Sequence, residues 1–72
     1  MAFKKGDIDG SVKFFDEAIN LETDNAKKAD NAYKAASVLA SAKKLSQARS
    51  YAQKAISFNE NFGAPYILIA QL

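Results

Sequence analysis

Residues 32–55, AYKAASVLASAKKLSQARSYAQKA, decide how this chain folds. Ala32, Ala35, Ala36, Leu39 and Ala42 fall at helical spacing, and so do Leu45, Ala48, Ala52, Ala55 and Ile56 beyond them. Lys43-Lys44 lies between the two patterns, where a helix end favours cations. The stretch therefore reads as two helices joined by a tight turn. Both stripes are made largely of Ala, which has the best intrinsic helix propensity. A stripe of Ala also lets two backbones approach more closely than Leu would. A closely packed helix pair is the expectation.

Working outward, the pattern extends in both directions. Before the pair, Ile8, Val12, Phe15 and Ile19 step by four, three and four along residues 5–21, one face of an α-helix. Gly6-Asp7 is a turn signal ahead of it, and Asp7 or Asp9 is its expected cap. Phe14 lies off the apolar face. Thr23, Asp24 and Asn25 are all capping types, so a second helix is expected over about residues 25–42, with Ala29 joining its stripe. A third runs from Leu45 or Ser46 to Phe58. After a break at residues 59–63, Pro65 sits where a first-turn proline belongs, and a fourth helix begins.

These helices repeat. Ala32, Ala35 and Ala36 fall on Tyr66, Ile69 and Ala70, each 34 residues on. Ser11, Phe15, Ala18, Ile19 and Leu21 fall on Ala48, Ala52, Ala55, Ile56 and Phe58, each 37 residues on. The three extra residues lie between Leu21 and Ala32. Ser11-x3-Phe15-x2-Ala18, Ala48-x3-Ala52-x2-Ala55 and Tyr66-x2-Ile69-Ala70 together resemble the tetratricopeptide repeat, a helix–turn–helix unit of about 34 residues. Thr23 and Glu60 stand where that family's closing proline would be.

The resemblance implies an all-α fold of stacked antiparallel hairpins with four helices. One segment, 1–72, then comprises the second helix of one repeat (1–23), one full repeat (24–60) and the first helix of a further repeat (61–72). An apolar segment that ends in mid-helix fits a fragment of a longer repeat protein. A different helical repeat, or a plain bundle, is the other all-α solution.

Composition narrows function by exclusion. Of 72 residues, 35 are apolar, but 14 of these are Ala, so an independent core is marginal. With no Cys and no His, the chain lacks a thiol nucleophile, the commonest general base and the commonest metal ligand. Asp7-Ile8-Asp9-Gly10-Ser11 is similar to the opening of a calcium loop, but its glycine is misplaced and the twelfth position is Ala18 rather than Glu. The eight carboxylates read as caps and solvated faces, with no catalytic, cofactor or metal site expected. Lys4-Lys5, Lys27-Lys28 and Lys43-Lys44 read as solvated helix ends, because a nucleic-acid groove would want more Arg and interleaved aromatics. Residues 1–5 are followed by no apolar run, so no targeting segment is recognised, and no run is long enough to span a membrane. Either a cytoplasmic or a periplasmic location fits.

The resemblance supplies the positive expectation, a protein-interaction or scaffold module. In such arrays the first helix of each hairpin lines a concave face where partner peptides lie. Here those positions are Asp30, Tyr33, Lys34, Ser37, Ala40 and Ser41 on the second helix, with Ala64, Ile67, Leu68 and Gln71 on the fourth. Tyr33 would supply an amphipathic contact and Lys34 a charge. The family's terminal-carboxylate clamps use a cluster of Lys, Asn and Arg, of which only Lys34 is present. Ile67, Leu68, Ile69 and Leu72 lack a covering helix, so self-association is expected through them. Two other readings stand beside this one: an accessory segment of a larger enzyme or secretion/outer-membrane assembly protein, and a self-associating structural bundle.

Overall fold

The computed structural model describes residues 8–72. The expected turn at Gly6-Asp7, the Asp7 cap and the Lys4-Lys5 pair lie outside them. The described residues form four helices and no strand: α1 (Ile8–Leu21), α2 (Asn25–Ser41), α3 (Leu45–Phe58) and α4 (Ala64–Gln71). Connections of three to five residues force each helix to fold back antiparallel on the one before.

Each boundary has a local cause. Asp24 takes an extended conformation before α2, and its carboxylate accepts a hydrogen bond from the Ala26 amide at 2.9 Å. That occupies one of the helix's orphan donors. The Glu22 carboxylate accepts from the amides of Thr23 and Asp24, which tightens the approach. Asp9 is not the cap of α1. It lies inside the first turn, where a carboxylate still complements the dipole.

The turn between α2 and α3 is a Schellman closure. The Lys44 amide donates to the Leu39 carbonyl at 2.9 Å, and the Lys43 amide donates to the Ala40 carbonyl at 3.0 Å. Lys43 has φ 63°, the left-handed conformation that glycine usually fills at this position. The α3–α4 turn is held by Asn59, whose carbonyl and side chain accept from the amides of Phe62 and Asn61. Pro65 then lies in the first turn of α4 and is fully buried.

The alanine stripes are the packing seam. Ala29, Ala32, Ala35 and Ala36 of α2, and Ala48, Ala52 and Ala55 of α3, are all 0% exposed. Leu39 and Ile19 are buried beside them. Removing Cβ-only side chains from water contributes little per residue, so the seam stabilises mainly through close contact along its whole length. Leu45, placed in the α3 stripe by its spacing, is instead 46% exposed. It is the first residue of its helix, and burial in α3 begins only at Ala48.

α2 is the central helix. It packs against both α1 and α3, while α4 packs against α3 and touches α2. The α1 and α3 backbones stay more than 8 Å apart. α1 and α3 thus form one layer, α2 and α4 the other. The molecule is 16 Å thick along its shortest axis. Two helix layers with axes about 8–10 Å apart and a Cα radius of about 2.3 Å give a similar thickness, about 13–15 Å. One core cluster joins the layers: Ile19, Ala29, Ala32 and Ala55, with Tyr33, Phe58 and Phe62 packed on its edge.

Candidate functional site

The expected binding positions lie on the second layer. Asp30, Lys34, Ser37 and Ser41 occupy the side of α2 opposite its alanine stripe. Asp30 and Ser37 are half-buried, and Lys34 and Ser41 are exposed. The Lys34 ammonium pairs with the Asp30 carboxylate at 3.0 Å, one helical turn apart. Both side chains are about half exposed, so the pair contributes only about 0.3–0.5 kcal/mol and is easily exchanged for a partner's charge.

Tyr33 is turned toward α4. Its ring meets Phe62 edge-on, with centroids 5.6 Å apart and planes at 71°. This contact sits on the edge of the core cluster and holds the start of α4 beside α2. Tyr33 is therefore half-buried and structural as well as accessible. On α4, Ile67 is 62% exposed and Gln71 is exposed, with Ala64 and Leu68 half-buried. Among the self-association positions, Leu68, Ile69 and Leu72 are half-buried, so Ile67 is the open one. Tyr66, which spacing placed on Ala32, is 50% exposed.

The opposite layer holds a feature that sequence reasoning missed. Between α1 and α3 lies a cleft of about 260 Å3, floored by Leu39 of α2 and walled by Asp9, Val12, Asp16, Gln47 and Tyr51. The Tyr51 hydroxyl donates across it to both oxygens of Asp16, at 2.6 and 2.8 Å. Burial, then the hydrogen bond and charge of Asp16, push the Tyr51 phenol up to about 12. Asp16 is thus not the solvated carboxylate expected of it. At the mouth, Lys44 approaches Asp9 at 3.5 Å. The available signal was the 35-residue spacing of Asp16 and Tyr51, close to the repeat length, which puts them on neighbouring equivalent helices.

The remaining chemistry is sparse. Among the described residues, no group of three or more His, Cys, Asp or Glu side chains is placed to hold a metal ion. No buried side-chain nitrogen or oxygen among them lacks a partner. Among the described residues, no helix is long and apolar enough to cross a membrane. Comparison with protein-family models, with curated proteins and with solved structures finds no match for this chain.

Proposed function

We propose that this chain is a protein-interaction module of tetratricopeptide-like build, which binds a partner segment along the face shared by α2 and α4. The observation that carries the reading is the Tyr33–Phe62 contact, which sets α2 and α4 side by side and leaves a band of mixed chemistry facing outward. That band offers an exchangeable ion pair (Asp30 and Lys34), hydroxyls (Ser37 and Ser41), an amide (Gln71) and an exposed aliphatic side chain (Ile67). Such a surface suits an extended or helical peptide with one apolar anchor and flanking polar groups. The partner is a protein or peptide, and the module contributes recognition while any catalysis belongs to what it recruits.

The open apolar side of α4 supports a second element of this reading, contact with another copy. Tyr66 and Ile67 are each at least half exposed on one short helix. Surface of that kind marks association.

Selection of a displayed random-peptide library on the wild-type chain, with depletion on a Ser37→Arg variant, tests the binding face. Ser37 is half-buried on the outer side of α2, so Arg can extend into solvent without entering the core. The expected result is a peptide family bound by wild type and lost with Ser37→Arg at unchanged helicity. Absence of an enriched family, or a family indifferent to the substitution, would overturn the binding face.

A further inference from the structure

The core cluster of this protein exists once as a closed unit and a second time as an open one. Its closed form joins Ile19 of α1, Ala29 and Ala32 of α2, and Ala55 of α3, with Phe58 and Tyr33 at the edge. The 37-residue shift relating α1 to α3 carries Ile19 to Ile56, and carries Ala55 and Phe58 back to Ala18 and Leu21. The 34-residue shift relating α2 to α4 carries Ala29, Ala32 and Tyr33 to Gly63, Tyr66 and Ile67.

Four of these six counterparts are exposed. Ala32 is 0% exposed and Tyr66 is 50%. Leu21, the counterpart of half-buried Phe58, is 84% exposed, and Ile67 is 62%. Gly63 is exposed, with nothing within 4 Å of where a Cβ would stand. Ile56 and Ala18 are half-buried. Ile56, Gly63, Tyr66 and Ile67 lie at the α3–α4 end, and Ala18 and Leu21 lie on α1. No single copy can bring the two sets together, because α1 and α4 make no backbone approach within 8 Å.

We infer that a second copy of this chain closes the open cluster. Its α1 docks on α4 of the first copy, so that Ala18 and Leu21 meet Tyr66, Ile67 and Ile56. The stack of helices then continues from one molecule into the next. This rests on the reading of α4's open side as a contact surface and names what covers it.

Volume and charge favour this occupant. The two shifts replace Ala32 by the larger Tyr66, but they also replace Phe58 by the smaller Leu21, Tyr33 by the smaller Ile67 and Ala29 by Gly63. A rough conservation of volume is what a packed cluster requires. Residues 8–24 carry Asp9, Asp16, Glu17, Glu22 and Asp24 against Lys13, a net of 1 − 5 = −4. Residues 43–72 carry Lys43, Lys44, Arg49 and Lys54 against Glu60, a net of 4 − 1 = +3. The α1 side of one copy is therefore attracted to the α3–α4 side of another, while like sides repel. The contact is heterologous, so it propagates rather than closing on a two-fold axis.

The test is sedimentation of the wild-type chain, of Leu21→Arg and of Tyr66→Arg, up to about millimolar concentration, with circular dichroism as the check on folding. Both substituted side chains are at least half exposed, so the helices should persist. Wild type is expected to grow in mass with concentration, less so at high salt, and each variant alone to remain monomeric. An equimolar mixture of the two variants should form a dimer, because it contains one junction with both sides intact. A monomeric wild type would overturn both this inference and the reading of α4 as a contact surface. Association of wild type without rescue in the mixture would overturn the head-to-tail junction alone.

Discussion

The Tyr51 hydroxyl donates to both carboxylate oxygens of Asp16, at 2.6 and 2.8 Å, and so ties α3 to α1 across α2. These two helices make no backbone approach within 8 Å. Beyond the packing of both helices on α2, this side-chain pair bridges the first layer directly, joined by Lys44 and Asp9. Tyr51→Phe removes the donor and keeps the ring. It should cost about 1 kcal/mol, which for a domain of this size lowers the thermal midpoint by about 4–8 °C. Melting curves followed by circular dichroism check this, and an unchanged midpoint would contradict a structural role for the bridge.

The same pair gives a signed pH dependence. The Tyr51 phenol is raised from 10.0 to about 12 in the folded chain, by burial first and by Asp16 second. The unfolded chain therefore loses this proton at lower pH than the folded one. Its contribution to stability is complete below about pH 10 and is lost as pH rises toward 12. Phenolate absorbance during alkaline titration should show one of the three tyrosines ionising late. That late phase should be missing from Tyr51→Phe.

The alanine seam predicts intolerance of bulk. Ala32 is 0% exposed between Ile19, Ala29 and Ala55. Ala32→Leu should destabilise the fold by about 1–3 kcal/mol through overpacking, although Leu is nearly as good a helix former. The effect on urea or thermal unfolding separates the two explanations of the stripe. A neutral outcome would mean that Ala serves only propensity.

Lys43 predicts an easy gain. It holds φ 63° at the position of the Schellman turn where glycine is normally preferred. Lys43→Gly should relieve about 1 kcal/mol of backbone strain and raise the thermal midpoint. Asp24→Ala should act in the opposite sense by about 1 kcal/mol, because it removes the acceptor of the Ala26 amide.

Much of the fold was legible because its elements are local. Asp24, Pro65 and the alanine periodicity each announce a boundary or a buried face through spacing alone, and α2 and α3 begin within a residue of where those signals put them. Leu45 was misassigned because spacing cannot show where a stripe turns out of contact at a helix end. Asp16 looked like a solvated carboxylate because its partner lies 35 residues away, and nothing local distinguishes it from Glu17. The role of Tyr33 was half legible: its position on α2 could be counted, but the contact with Phe62 depends on how the α3–α4 turn brings that ring back. Exposure of Tyr66 and Ile67 is a fact of tertiary packing that an apolar run could suggest and only the fold could apportion.

The most direct measurement of the central claim is amide chemical-shift mapping of a selected peptide on isotope-labelled wild-type chain. The account predicts perturbations concentrated at Asp30, Tyr33, Lys34, Ser37 and Ser41 of α2 and at Ile67 and Gln71 of α4. Perturbations centred instead on Asp9, Asp16 and Tyr51 would contradict it and move the binding site to the cleft between α1 and α3.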